Sequence, residues 1–176
     1  MKSIIENKNM VWLSNIVFFN LFRFERKTQK FFTYPVLLFL RNKKVKESYK
    51  KRGVSNSEKE VVKALENPEV GISSILSGGH FIVLFFLLTF RIVNFTSGYL
   101  RTEFNLKLPH FAVMAIFSYV FAYWISFRQD RYLEYFREFE NLPKSKKKVS
   151  AWISFFIVLG VWVFCIGSFV FLNYRL

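Results

Sequence analysis

His80 is the side chain best placed to do chemistry, because it sits in Gly78-Gly79-His80 within an otherwise apolar run, Ile72 to Phe90. It is the ninth residue of that 19-residue run, so a membrane crossing by the run would put the imidazole near mid-depth. An ionisable group there can line a watery path, sense pH, or hydrogen-bond across a subunit interface. The structural alternative is that the two glycines admit a neighbouring helix and His80 bonds one of its carbonyls. His110 lies in a second apolar run and the single cysteine, Cys165, in a third. One cysteine forms no intrachain disulfide, and the sequence has no Cys/His framework for a metal. No nucleophile–base pair, paired carboxylate or glycine-rich phosphate loop is visible, so we expect neither an enzyme nor a bound cofactor.

Small residues form a second constellation. Ser118, Ala122 and Ser126 are spaced by four and share one helical face. Ser74 and Gly78, Ser73 and Ser77, and Gly160, Gly167 and Ser168 add further small positions. Such stripes let helix backbones approach closely, within one chain or between chains. Together with His80, the Ser118–Ser126 stripe supplies candidate pore positions. Three helices do not surround an aqueous pore, so conduction would require a homo-oligomer. With no carboxylate in any of the three longest apolar runs, a pore would favour anions or be poorly selective.

A third constellation is basic. Arg41, Lys43, Lys44, Lys46, Lys50, Lys51 and Arg52 are opposed only by Glu47. Anionic lipid headgroups fit such a cluster, at about 1 kcal/mol per basic residue near a membrane surface. A polyanion such as an oligonucleotide fits it too, and Tyr49 offers one stacking ring. A fourth pattern is the row Tyr132, Tyr135, Phe136, Phe139, Leu142, an apolar face backed by Arg131, Glu134 and Arg137. That row is a candidate docking face for a cytoplasmic partner protein.

The elements that must carry these groups follow from the distribution of apolar residues. The chain has 176 residues, 52% of them hydrophobic and 24 of them Phe, with a formal net charge of +14. The basic residues avoid the three longest apolar runs: Ile72–Phe90, Leu108–Phe127 and Ala151–Tyr174. A bilayer core of about 30 Å takes about 20 helical residues, so each run is long enough to cross. The expected fold is all-α: a polytopic membrane protein with three transmembrane helices, N-terminal interfacial helices and a cytoplasmic helical hairpin.

Residues 1–71 carry 15 basic and 7 acidic residues, and residues 128–148 carry 7 and 4. Basic loops stay inside, which predicts a multi-pass protein of the plasma (bacterial inner) membrane with a cytoplasmic N-terminus. The organisation is then a basic surface region, 1–71, followed by a transmembrane domain, 72–176. Met10–Phe22 and Phe31–Leu40 are shorter than a span and read as two membrane-surface segments. Crossing by the first is an alternative that charge alone does not forbid. Ser57 and Glu60 have capping-box spacing, with Ser55 and Glu58 as an alternative start. Pro109 suits the first turn of a helix, and nothing between it and Pro143 breaks one, so the second span is expected to run on to Leu142. Ser150 is a plausible N-cap for the third, unless that helix also starts above the membrane. Lys144, Lys146, Lys147 and Lys148 then stand at the hairpin tip. Asn94-Phe95-Thr96 matches a glycosylation sequon, although the Lys- and Phe-rich composition suggests an AT-rich bacterial genome, where it has no use.

Two classes of function remain. One is a homo-oligomeric membrane channel or membrane-disrupting effector, gated from its basic side by an anionic nucleotide or oligonucleotide, as in bacterial antiphage defence. The other is a non-catalytic membrane anchor or adaptor that docks a cytoplasmic protein.

Overall fold

The structure, a computed structural model, describes residues 8–54, 56–100 and 106–175, and helix is the only regular structure among them. Among the described residues seven α-helices follow one another: α1 (Lys8–Leu40), α2 (Lys43–Lys51), α3 (Ser57–Leu65), α4 (Ile72–Leu100), α5 (Leu108–Ala122), α6 (Arg131–Glu140) and α7 (Lys144–Arg175). Three stretches are long and apolar enough to cross a membrane: Ile72–Leu100, Leu108–Glu140 and Lys144–Val170. The chain divides into two compact units. Unit 1 comprises the chain up to Asn20 and from Gly79 onward; unit 2 is Leu21–Gly78.

Helix α1 departs from expectation. The two predicted surface segments are parts of one 33-residue helix with Pro35 inside it. No glycine or proline interrupts Phe22 to Tyr34, so the charged stretch between the apolar runs continues the helix. Pro35 removes one N–H from the ladder, while Thr33 Oγ1 two residues earlier donates to Gln29 O at 2.7 Å.

Unit 1 is built around the first part of α1. Phe18 is fully buried. Its ring stacks on Phe81 of α4 at 5.1 Å and lies 5.2 Å from Phe127 and 5.1 Å from Phe136 of α6. Phe19 meets Phe136 at 5.3 Å and Phe139 at 5.4 Å, and Trp12 packs edge-on against Phe139. On α7, Ser154 Oγ accepts from Asn20 Nδ2 at 3.0 Å. Residues 10–20 therefore contribute a face to the unit 1 core.

The second correction lies beyond α5. The predicted unbroken helix from Pro109 to Leu142 does not form. Tyr123–Phe127 is a π-helical turn and Arg128–Asp130 a 3-10 turn, in which Gln129 (φ 58°) and Asp130 (φ 52°) are left-handed. A left-handed non-glycine residue costs about 1–2 kcal/mol. The break turns Tyr132, Phe136 and Phe139 onto Phe18 and Phe19, and burial of each ring returns about 1.5–3 kcal/mol. Three rings outweigh two strained residues. Helix α7 then starts at Lys144, not at Ser150, because Pro143 O accepts from Lys147 N (3.0 Å) and opens the helix one and a half turns early. The lysines expected at the hairpin tip thus occupy the first turns of α7.

Unit 2 is held differently. Asn42 caps α2 by accepting from Lys44 N at 3.1 Å, and Asn56 caps α3 by accepting from Lys59 N at 3.1 Å. The α3 cap therefore falls on Asn56, one residue before the predicted Ser57. Gly53 takes φ 82° just past the end of α2, where a side chain would be strained. Glu58 joins Arg41 (3.2 Å) and Lys46 (3.3 Å), and Arg26 pairs with Glu66 at 3.6 Å. Ser73 Oγ donates to Gln29 Oε1, tying the start of α4 to α1.

Candidate functional site

His80 is exposed on α4. Its neighbour Phe81 packs on Phe18 and lies 6.3 Å from Phe127, the last residue of the π turn. That contact puts His80 level with the end of the second apolar run. From Phe81 to Leu100 there remain twenty residues of α4, roughly 30 Å at 1.5 Å per residue. His80 is the ninth residue of the 29-residue helix α4 and so precedes its midpoint. A Cβ added at Gly79 would meet no described atom within 4 Å, whereas Gly78 is buried.

Ser118, Ala122 and Ser126 are each 0% exposed. Ser118 Oγ donates to Met114 O at 2.7 Å, the usual i−4 arrangement, and Ser126 Oγ has no hydrogen-bond partner. The stripe is buried within unit 1. Tyr132, Phe136 and Phe139 are likewise buried against α1, and Tyr135 is half-buried and stacked on Phe139 at 5.8 Å. The row expected to dock a partner is covered by the chain itself.

The basic cluster stands where α1 ends and through α2, whose residues are all unburied. Within unit 2 its lysines edge a cavity of about 620 Å³. Lys46 and Lys50, one turn apart on α2, face Lys59 and Asn56 from the start of α3. Leu37, Val54 and Val62 supply an apolar floor. Glu58 is the cavity's one acid, and its hydrogen bonds to Arg41 and then Lys46 hold its carboxyl below the usual carboxylate range. With Glu58 engaged by those two cations, Lys50 and Lys59 leave the cavity net positive, beside the N-terminus of α3, whose dipole favours an anion. Arg41, Lys43, Lys44, Lys51 and Arg52 are not among the residues that line it.

The structure adds a residue that the sequence reading placed in the connection after the first apolar run. Arg91 does not end its helix: α4 continues nine residues past it. Arg91 is 6% exposed, its guanidinium sits 3.8 Å over the Phe164 ring of α7, and its Nε and Nη1 have no hydrogen-bond partner. Asn94, three residues on, is 5% exposed, which removes the glycosylation reading of the sequon. The signal was present, because Ile92, Val93 and Phe95 resume the apolar pattern beyond the arginine. His110 has a local role: its Nδ1 accepts from Lys107 N at 3.1 Å in the first turn of α5. No group of three His, Cys, Asp or Glu among the described residues could hold a metal. Compared with protein families, curated proteins and solved structures, the chain finds no match in any of the three.

Proposed function

We propose that this chain is a homo-oligomeric membrane channel or membrane-disrupting effector whose state is set by an anionic ligand on its basic N-terminal region. The observation that carries the reading is the lysine-edged cavity of unit 2. A nucleotide-sized anion matches it in charge and in its mix of apolar floor and cationic rim. Three further observations support assembly through the spans. Trp152, Phe156, Val163, Ile166 and Phe169 are exposed along α7, as lipid or a second copy would require. Gly160 and Gly167, two turns apart on that helix, have nothing within 4 Å of an added Cβ, so another backbone can come close. The interior of unit 1 is filled with aromatic rings, so any conduit runs between copies. Conduction would then use surfaces other than the Ser118–Ser126 stripe.

The adaptor reading is weaker because its docking row is buried. In the proposed orientation the N-terminus and the basic cavity face the cytoplasm of a bacterial cell, where anionic lipids, a mononucleotide or an oligonucleotide can reach the lysines. A setting in antiphage defence remains part of this proposal.

The test is ion flux from liposomes holding purified protein, with and without added nucleotides and short oligonucleotides. Ligand-dependent flux that Lys50→Gln with Lys59→Gln abolishes is the expected result. Flux at background under all ligands, pH values and voltages refutes the proposal, as would a monomer by mass in detergent.

A further inference from the structure

We propose that Arg91, with Asn94 beside it, binds a small inorganic anion of halide size within unit 1. The starting point is an imbalance of charge. Arginine stays protonated in proteins, and an isolated buried charge is so costly that proteins pair it or solvate it. Arg91 is 6% exposed and two of its three guanidinium nitrogens lack a hydrogen-bond partner. Phe164 covers the guanidinium at 3.8 Å, but a ring face offsets only part of the cost of burying a charge. A counter-charge is therefore missing from the picture.

The possible sources can be ranked. Helices α4, α5 and α7 contain no Asp or Glu, so neither this chain nor an aligned second copy offers a carboxylate from those helices. Lipid phosphate is the weaker candidate: Arg91 is nineteen residues after the start of α4 at Ile72 and nine before its end at Leu100, roughly 29 Å and 14 Å of helix. A halide needs no such reach and fits between a guanidinium and a side-chain amide. Asn94 supplies that amide from position i+3 on the same helix, itself 5% exposed. The bound anion restores neutrality and satisfies N–H groups that are otherwise buried without partners. The site stands apart from the channel reading, since an anion would neutralise Arg91 in a protein that conducts nothing.

Full-length protein in neutral detergent tests this, with no membrane and no flux. The thermal midpoint is followed at fixed sodium and pH while gluconate is replaced by chloride, bromide or nitrate. Wild type should rise saturably by at least about 3 °C, the scale on which a bound ligand shifts a domain of this size. Arg91→Gln should lose the shift. Should Arg91→Gln fail to fold, Asn94→Ala decides, and there the bromide concentration at half-effect should rise several-fold. No anion-dependent shift in wild type overturns the site, and so does an equal shift in Arg91→Gln or an unchanged half-effect concentration in Asn94→Ala. A further arm replaces the halide by phosphatidylglycerol in mixed micelles. A shift seen only there assigns the counter-charge to lipid and also overturns the halide site.

Discussion

Unit 1 and unit 2 solve the same problem with opposite materials. Around Phe18 of α1, unit 1 gathers rings from α4 and α6 together with Phe127 at 5.1 to 5.5 Å. Unit 2 draws on Asn42 and Asn56 caps, and on ion pairs centred on Glu58. Aromatic burial is worth several kcal/mol per ring and is indifferent to salt and mild acid. Caps contribute about 1 kcal/mol each and exposed ion pairs about 0–1. The difference implies a division of labour: a rigid body in unit 1, and in unit 2 a body soft enough to respond to pH, salt or a bound anion.

The comparison breaks most sharply at Phe18. Phe18→Ala empties the centre of unit 1, and Phe→Ala in a core costs about 3–5 kcal/mol. Thermal unfolding in detergent should show the loss, and a change under 1 kcal/mol would deny that this ring organises the unit. Gly71 is the corresponding pressure point in unit 2. A Cβ there would lie 2.4 Å from the backbone oxygens of Leu65 and Asn67. Neither oxygen belongs to a flexible side chain, so Gly71→Ala should cost about 1–3 kcal/mol. Hydrogen exchange should report that loss over residues 57–78 while leaving the Phe18 cluster protected.

The two units also differ in how much of them can be read from the sequence. The three membrane-length stretches are legible because uninterrupted apolar runs of that length have few other uses. The break after Phe127 is not legible. Gln129 and Asp130 carry no glycine or proline signal, and the turn exists because Phe18 and Phe19, over a hundred residues earlier, offer Tyr132, Phe136 and Phe139 a place to go. The same long-range contact turned a predicted docking row into core. Arg91 was misplaced for a related reason: a charge reads as the end of a span unless the apolar residues beyond it are weighed as heavily as those before. His80 lies ahead of the midpoint of its helix because α4 runs on to Leu100. Of the basic cluster, composition identified the lysines, but only the fold selects Lys46 and Lys50, and adds Lys59, as cavity walls.

Smaller effects belong to unit 2 alone. Asn56→Ala removes the α3 cap and should cost about 1 kcal/mol, seen as faster exchange at residues 57–60 with no change in unit 1. Asn56→Asp keeps the acceptor and should behave nearly as wild type.

The gentlest test is pH. Glu58 is held below its ordinary carboxylate range by Arg41 and then Lys46. A depressed carboxyl in the folded state means that unfolding raises its proton affinity. Its contribution is therefore complete above the ordinary value of 4.5 and is lost as pH falls through the folded one. Exchange protection of α2 and α3 should weaken below about pH 4.5, the ordinary Glu range, while the aromatic core of unit 1 stays protected. Glu58→Gln should flatten that dependence. Because the pairs are exposed, 0.5 M salt should mimic mild acid by screening them. Equal sensitivity of both units to acid would show that the contrast between ring packing and charge pairing does not govern how this protein responds.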